Sequence, residues 1–240
     1  HLVQDGNEVV VYNRTRSKAE NFTSQFNAKT ASSPADASKG ADIVFACVGD
    51  DADITEITTS QKGAFSTMKP NSLFVDHTTA SASVSRELAD RAMDKKIGFI
   101  DAPVSGGQAG AENGTLTIMC GGSKDAFQKA HAVMSCYGKK ITLMGPSGSG
   151  QLTKMVNQIC IAGLLQGLSE AINFGQKAGL DMNSALDVIA GGAAQSWQME
   201  NRGNTMIDDE FDFGFAVDWM RKDLRICMDE AKGNGAELPI

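Results

Sequence analysis

The sequence predicts a doubly wound α/β domain that is followed by an all-helical domain. In the first half, six short β-branched segments alternate with helical patterns that have a polar face, which is typical of a mostly parallel sheet with helices on both faces. After the glycine-rich stretch GPSGSG, at 145–150, the strand patterns stop and long helical patterns follow. We therefore predict domains at 1–147 and 148–240, with the boundary near residue 147.

The predicted elements follow in this order along the chain. The strands are EVVVY (8–12), DIVFACV (42–48), SLFVDHT (72–78), GFIDAPV (98–104), TLTIMCG (115–121) and KKITLMG (139–145). Helical patterns between them include SKAENFTSQF, SASVSRELADRAMDKK and SKDAFQKAHAVMSCYG. The second half predicts helices over 150–178, about 183–195 and 217–232.

Composition excludes several classes of function. The net charge of -7 and the absence of a long basic cluster argue against a nucleic-acid partner. No apolar run is long enough to span a bilayer, and the first residues lack the regions of a signal peptide. The cysteines and the three histidines are scattered without ligand spacing, so we expect no metal site, no disulfide framework and a reducing cytoplasm.

The opening residues HLVQDG read as the last turn of a helix that ends at Gly6, because glycine favours the position after a helix C-cap. A dinucleotide-binding unit carries a G-x-G-x-x-G turn between its first strand and its first helix. No such turn opens this sequence. If the domain is of that kind, we expect a strand, a glycine turn and most of a helix, about 20 residues, to precede it.

The segment EVVVYNRTRSK ends the first predicted strand in a turn that suits a nucleotide. Where such a strand meets the adenosine ribose, an Asp or Glu favours NAD and a nearby Arg suits the 2′-phosphate of NADP. This turn has no carboxylate and offers Asn13, Arg14 and Thr15 as donors, which favours NADP while leaving NAD possible. A solvated basic turn explains the same residues, so this motif alone leaves both alternatives open.

A second candidate is the glycine-rich segment DAPVSGGQAGAENGTLTIM, at 101–119. Ser105, Gly106 and Gly107 let the backbone approach a small ligand closely, and consecutive N–H groups can form an anion-binding nest that suits a carboxylate. The alternative is a flexible connection of small residues, which this motif taken alone slightly favours.

Lys154 stands at the front of the mostly apolar run GQLTKMVNQICIAGLLQGLSEAINFG, with Asn157 and Gln158 on its helix face. A run that is apolar on nearly every side predicts a central helix, and so a partly buried lysine. Partial burial lowers lysine pKa values toward neutrality, which suits a general acid/base. The alternative is a lysine with a covered stem and an ammonium in water.

The last predicted helix, FDFGFAVDWMRKDLRICMDEAKG, contains Lys222 and Asp223 between apolar positions. Lys222 could reach a ligand and Asp223 could pair with a nearby base, but a solvated helix face explains both more simply. The second domain also offers candidates for a pocket wall, although large residues of this kind are more often core. These candidates are Trp197, Met199, Asn201, Phe213 and Trp219.

Taken together, these segments resemble the β-hydroxyacid dehydrogenase family, which includes 3-hydroxyisobutyrate dehydrogenase, tartronate semialdehyde reductase and the glyoxylate/succinic semialdehyde reductases. EVVVYNRT looks like the family's second strand and ribose turn, and FVDHTTAS like its segment near the nicotinamide. DAPVSGGQAGAENGTLTIMCGG resembles its substrate-binding signature, GSGQLTKMVNQ the start of its catalytic helix, and FAVDWMRKDLRICMDEAKG its late lysine helix. The resemblance covers essentially the whole chain.

The resemblance implies a Rossmann-type NADP-binding domain, a helical substrate and dimerisation domain, and hydride transfer between NADP(H) and a small β-hydroxy acid or semialdehyde. Lys154 matches the catalytic lysine, which gives a proton to the substrate oxygen in reduction and takes it back in oxidation. The Ser105–Gly107 loop matches the carboxylate-binding loop. Asn157 matches an asparagine beside the lysine, but many members carry it at the position of Gln158, so either amide could contact substrate.

The cofactor side of the resemblance involves the turn and the strand ends. Arg14 and Thr15 match the NADP-preferring turn, and Thr79 matches the hydroxyl near the nicotinamide. Lys222 matches the lysine that closes over cofactor and substrate, and Asp223 its partner. The remaining predicted cofactor contacts are Asn13, Val48 and Gly49.

The chain departs from the family pattern at both ends. It lacks the first strand with its glycine turn, and it stops at ELPI before the last helices that such proteins usually have. We expect a partial sequence of a longer cytoplasmic enzyme that forms a dimer or tetramer through its apolar helix. We also expect the 240-residue piece alone to bind NADPH poorly and to aggregate, because the absent strand would be central in the sheet.

Three other functions of related architecture remain as alternatives. Imine reductases and non-catalytic NADP-binding interaction modules usually replace or lose the lysine, so Lys154 counts against both. A sugar-phosphate dehydrogenase such as 6-phosphogluconate dehydrogenase needs a basic phosphate pocket and a longer helical domain, and the sequence contains neither.

Overall fold

The computed structural model describes residues 1–212 and 214–239. The chain divides into two compact units, 1–155 and 156–240. The sequence-based boundary near residue 147 lies just before the long helix α7 (Ser149–Lys177), whereas the division into units falls inside that helix. No helix in the described ranges combines the length and the apolar character needed to cross a membrane.

In the described residues, the strands of the first unit form two sheets. β1 (Val9–Val11) and β2 (Ala28–Thr30) make a parallel pair of their own. The larger sheet has the order β3-β4-β5-β7-β6, with β8 on the opposite edge of β7. Its strands are β3 (Ile43–Ala46), β4 (Leu73–Asp76), β5 (Gly98–Asp101), β6 (Val104–Ser105), β7 (Leu116–Gly122) and β8 (Gly138–Gly145). β7 runs antiparallel to β5 and β6, and the other neighbours are parallel.

The segment predicted as one strand, 98–104, is divided by Pro103 into β5 and β6. Proline has no N–H to donate to a strand ladder. The Pro103 carbonyl still accepts a hydrogen bond from the N–H of Met119, at 3.0 Å. Both parts pair with the same edge of β7, so the prediction is right in position and wrong in continuity.

Helices cover both faces of the larger sheet, as successive residues of β4 show. Phe74 packs in one apolar cluster with Ile54, whereas Leu73 and Val75 pack in another with Met134. Burial on both faces explains why β4 is apolar up to its last residue. The predicted doubly wound α/β fold is confirmed. The helices of this unit are α1 (Arg16–Gln25), α2 (Pro34–Ser38), α3 (Asp51–Thr59), α4 (Ala82–Asp94), α5 (Gly107–Glu112) and α6 (Lys124–Met134).

The second unit is helical throughout its regular elements in the described residues. Besides most of α7, it contains α8 (Met182–Ala190), α9 (Trp197–Ile207) and α10 (Val217–Asn234). The helix predicted over 183–195 is too long, because α8 ends at Ala190 and Ser196 starts α9 by accepting from the N–H of Met199. The core of this unit contains Leu168, Ile172, Met182, Leu186 and Met199.

Helix α7 is buried on one side only within a single chain. Leu168 is 6% exposed, whereas Val156, Leu164 and Phe174 are 62%, 44% and 73% exposed. The predicted cover of this helix by a second subunit stays a prediction, because these exposed fractions are those of one copy of the chain. An apolar helix face that is left open in this way is typical of surfaces that bind another protein.

Candidate active site

Three of the predicted cofactor contacts lie where β3 and β4 end. Val48 and Gly49 follow β3, and Thr79 follows β4. The Val48 N–H donates to the Thr78 hydroxyl at 3.0 Å, which joins the two strand ends. Thr78 is fully buried, and Thr79 beside it is only partly buried. Ligands of open α/β sheets bind beyond the carboxyl ends of the strands, so this edge is the place where a nucleotide is expected.

The turn after β1 approaches the same edge. The Asn13 side-chain oxygen accepts from the Thr15 N–H at 2.8 Å, which fixes the turn. Arg14 donates to Asp53 Oδ1 at 3.1 Å, and Asp53 Oδ2 accepts from the Gly49 N–H at 3.2 Å. Asp53, which the motifs did not single out, therefore brings the predicted cofactor residues of the turn and of the β3 end together.

The donors at this edge include an accessible arginine. The Arg14 side chain is 81% exposed, so its guanidinium is accessible to a phosphate, for which its planar donor set is well matched.

In the described part of the chain, no group of three or more His, Cys, Asp or Glu side chains is arranged to hold a metal ion.

The first turn of α7 is fixed by a buried carboxylate, Asp101, at the end of β5. Its Oδ1 accepts from the Gly148 N–H at 2.8 Å, and its Oδ2 accepts from the Gln151 N–H at 3.1 Å. These N–H groups have no partner inside the helix, and a negative charge at a helix N-terminus is favourable. Burial nevertheless raises the pKa of Asp101 to about 6, against the lowering effect of the hydrogen bonds.

Gln151 connects α7 to the segment that follows β4. It is fully buried. Its Oε1 accepts from the Ala80 N–H at 3.1 Å, and its Nε2 donates to the Thr78 carbonyl at 2.8 Å. Thr79, between these two residues, is therefore held at a fixed position relative to the start of α7.

Lys154 lies three residues after Gln151 on α7 and is 7% exposed. Residues three apart share a helix face. Lys154 therefore lies on the same face of α7 as Gln151, whose side-chain amide bonds to Thr78 and Ala80. Burial of the residue as a whole counts against the alternative of an ammonium in water. Within the first unit, Gln151 therefore fixes the position of Thr79 relative to the helix that carries Lys154.

The glycine-rich segment folds into a short helix rather than an open loop. Ser105 ends β6, Gly106 precedes α5 and Gly107 is its first residue. Gly106 has a φ of +132°, and a Cβ there would lie 3.2 Å from the side chain of Leu116. Glycine is therefore required at this position for both its backbone conformation and its close packing.

In the second unit, the predicted polar residues form one buried network. Gln158 Nε2 donates to Asp223 Oδ2 at 2.6 Å, and Gln158 Oε1 accepts from Asn157 Nδ2 at 2.8 Å. Lys222 Nζ lies 3.0 Å from Asp223 Oδ1, with side chains 11% and 2% exposed. The interpretation of Lys222 and Asp223 as a solvated helix face is therefore wrong.

The candidates for the pocket wall separate into different environments. Met199 belongs to the core, and Asn201 donates to the Trp197 carbonyl at 2.9 Å. Trp197 and Trp219 are 56% and 46% exposed. Phe213 lies outside the described residues.

A second buried carboxylate, Asp76, pairs with Asp101 in the β4–β5 register. Its Oδ1 accepts from the Thr78 N–H at 2.9 Å, and its Oδ2 has no hydrogen-bond partner among the described residues. Burial raises the pKa of Asp76 from its ordinary 3.8 to about 7, with smaller contributions from Asp101 and Asp51. The folded protein therefore holds this proton more tightly than the unfolded chain does.

The raised pKa of Asp76 predicts a loss of stability with rising pH. Its contribution is fully present below about pH 4 and is lost as the pH rises through about 7. Asp76→Asn removes this dependence and is expected to raise the free energy of unfolding at about pH 8 by on the order of 3 kcal/mol. Urea unfolding at about pH 5 and about pH 8 measures this change in the free energy of unfolding. Asp90→Asn, at an exposed residue, is the control. Parallel pH dependence of the parent and Asp76→Asn would contradict the assignment.

The chain matches two family models over nearly its whole length. The model for the NAD binding domain of 6-phosphogluconate dehydrogenase matches residues 1–145, and that for NAD-binding of NADP-dependent 3-hydroxyisobutyrate dehydrogenase matches 148–240. An uncharacterized oxidoreductase of Shewanella frigidimarina is 54% identical over 240 residues, which are 100% of this chain and 82% of that protein.

Two further relatives carry more specific names. A probable 3-hydroxyisobutyrate dehydrogenase-like 1, mitochondrial, of Arabidopsis thaliana is 39% identical over 100% of this chain and 71% of its own length. The solved structure of Mycobacterium tuberculosis 3-hydroxyisobutyrate dehydrogenase with L-serine superposes with a TM-score of 0.89 at 28% identity, over 99% of this chain and 83% of that one.

Proposed function

The chain belongs to the β-hydroxyacid dehydrogenase family and is an NAD(P)-dependent, 3-hydroxyisobutyrate dehydrogenase-like oxidoreductase, and we propose that it is an NADP-preferring reductase of a small semialdehyde or 3-oxo acid. The reaction runs reversibly with the corresponding short β-hydroxy acid. The observation that supports this proposal is the burial of Lys154, three residues after Gln151, which bonds to Thr78, Ala80 and Asp101 at the ends of β4 and β5.

The chemistry divides between cofactor and protein. When bound, the nicotinamide supplies or accepts the hydride. Lys154 Nζ gives a proton to the substrate oxygen as the carbonyl is reduced, and takes it back from the hydroxyl in the reverse direction. Burial of Lys154 keeps bulk water away from this proton transfer. The relative from M. tuberculosis was solved with L-serine, which is itself a small β-hydroxy acid with a carboxylate.

The remaining residues bind and orient. Asn13, Arg14 and Thr15 hold the adenosine end of the cofactor, together with Val48 and Gly49 at the end of β3. Thr79 contacts its nicotinamide end. Backbone N–H groups of the Ser105, Gly106 and Gly107 segment orient the substrate carboxylate. Lys222, held by Asp223, contacts cofactor and substrate.

Of the two amides after Lys154, we assign the substrate contact to Asn157. Both ends of the Gln158 amide are already used, by Asp223 and by Asn157. The Asn157 Oδ1 atom makes no hydrogen bond within the described ranges, so it is the amide oxygen that can accept from a substrate hydroxyl.

This assignment predicts different effects for two alanine variants. Asn157→Ala is expected to lower kcat/KM by roughly three- to tenfold, which is the worth of one hydrogen bond. Its cost in stability is expected to be about 1 kcal/mol, because Gln158 Oε1 loses one donor. Gln158→Ala is expected to cost about 1–3 kcal/mol of stability, because it leaves the buried Asp223 with one partner fewer. Steady-state kinetics and thermal unfolding separate the two. A kinetic loss in Gln158→Ala at full stability, with Asn157→Ala active as the parent, would reverse the assignment.

The function is tested by following NADPH and NADH oxidation by the full-length protein. The substrates are glyoxylate and the tartronate, succinic and methylmalonate semialdehydes. Turnover that is faster with NADPH supports the proposal and begins to identify the substrate. Tight NADPH binding without turnover would instead favour a non-catalytic binding module.

We also propose that the protein is a cytoplasmic homo-oligomer, a dimer or a tetramer. The exposed apolar residues of α7, Val156, Leu164 and Phe174, support it, since a second copy would remove them from water. Light scattering of the full-length protein is expected to give at least twice the monomer mass, and a monomer at micromolar concentration would refute it.

A further inference from the structure

The arginines of the predicted cofactor turn already face carboxylates. Arg14 donates to Asp53 at 3.1 Å, and Arg16 donates to Glu20 at 2.7 Å on the same helix. The sequence of the turn contains no carboxylate, so it resembles a site built for the 2′-phosphate of NADP. In space, however, a carboxylate reaches the turn from α3.

Asp53 is fixed in this position by several hydrogen bonds. Its Oδ2 accepts from the Gly49 N–H at 3.2 Å, and its own N–H donates to the side chain of Asp50 at 3.0 Å. It lies in the first turn of α3, and its side chain is 28% exposed. The carboxylate is therefore held beside Arg14 by the fold and not only by the ion pair.

From this arrangement we infer that Asp53 limits the preference for NADP over NAD: it competes with the 2′-phosphate of NADP for Arg14 and offers an acceptor to the ribose 2′-hydroxyl of NAD. The inference rests on the proposed function in that the adenosine end of a nicotinamide cofactor meets residues 13–15. A phosphate monoester carries a charge near −2, and repulsion from Asp53 disfavours it. A neutral 2′-hydroxyl meets no such repulsion, and carboxylates at this ribose position favour NAD.

Charge-neutral substitution tests the inference in the full-length protein. Asp53→Asn keeps an oxygen that can accept from the Gly49 N–H but removes the negative charge. Glu56→Gln is the matched control, because it makes the same change at an exposed residue one turn later on α3. Dissociation constants of NADPH and NADH are measured by fluorescence titration at one fixed ionic strength.

Asp53→Asn is expected to raise the preference for NADPH over NADH roughly three- to tenfold, mainly by lowering the dissociation constant of NADPH. Glu56→Gln is expected to change it by less than about twofold, because its charge is solvated and screened. In an Arg14→Ala background, adding Asp53→Asn is expected to have a smaller effect than in the parent, since the two residues act on the same phosphate.

The measurement does not depend on turnover. An unchanged or lowered preference for NADPH in Asp53→Asn would overturn the inference. A protein that shows the shift but reduces none of the semialdehydes would refute the proposed reductase and leave the role of Asp53 intact. A protein that binds neither cofactor would overturn both.

Discussion

Replacing Lys154 with alanine in the full-length protein is expected to lower kcat by roughly 10²- to 10⁴-fold, the usual contribution of a general acid/base. The affinity for NADPH is expected to stay the same, because the proposed role of Lys154 is at the substrate oxygen and not at the cofactor. Lys154→Arg keeps the positive charge but holds its proton too tightly to give it up. It is therefore expected to be nearly as slow as Lys154→Ala.

Two controls separate chemistry from folding. Lys154→Met fills most of the space of the buried side chain without a proton to transfer, so it should fold as the parent does and still be slow. Lys177→Ala removes an exposed lysine from the last turn of the same helix and should leave kcat unchanged. The readout is kcat and KM for the best semialdehyde, with NADPH binding measured in parallel. A Lys154→Ala enzyme that keeps a tenth or more of the parent kcat would remove the lysine from the mechanism.

The order of strands and helices could be predicted because apolar residues recur at different spacings in the two kinds of element. Strand periodicity needs several residues to be visible, so β2, with three residues, and β6, with two, were missed or merged. The direction of β7 could not be predicted, since the pattern of a buried strand is the same in both directions. The turn that ends at Gly6 could be read from local chemistry alone, and Gly6 has the expected positive φ of +85°.

The candidate site was predictable only where its residues fall in one motif. Arg14, Lys154 and the glycine-rich segment stand out from their neighbours in the sequence. Asp53 and Gln151 do not, because their partners lie 39 and 71 or 73 residues away in the chain. A signal did exist for Asp101, since a carboxylate directly after an apolar strand falls at the edge where ligands bind.

Gly150→Ala is the substitution expected to cost the most stability. A Cβ at Gly150 would lie 2.4 Å from the Met119 carbonyl oxygen and 2.7 Å from that of Asp101. Both are backbone atoms of the central sheet, so they cannot give way as a flexible side chain would. The first turn of α7 has to move instead, which strains the hydrogen bonds to Asp101. We expect a loss of about 3 kcal/mol or more.

The same shift predicts a loss of activity, because Lys154 lies on the second turn of α7 and follows the first turn, which has to move. The free energy of unfolding, measured in urea, and kcat are therefore both expected to fall in Gly150→Ala. Gly233→Ala is the control: it lies in α10 with nothing within 4 Å of its Cβ, and is expected to gain about 0.5–1 kcal/mol from higher helix propensity. A Gly150→Ala protein within about 1 kcal/mol of the parent would mean that α7 can move without cost, and that Asp101 and Gln151 do not fix the position of Lys154.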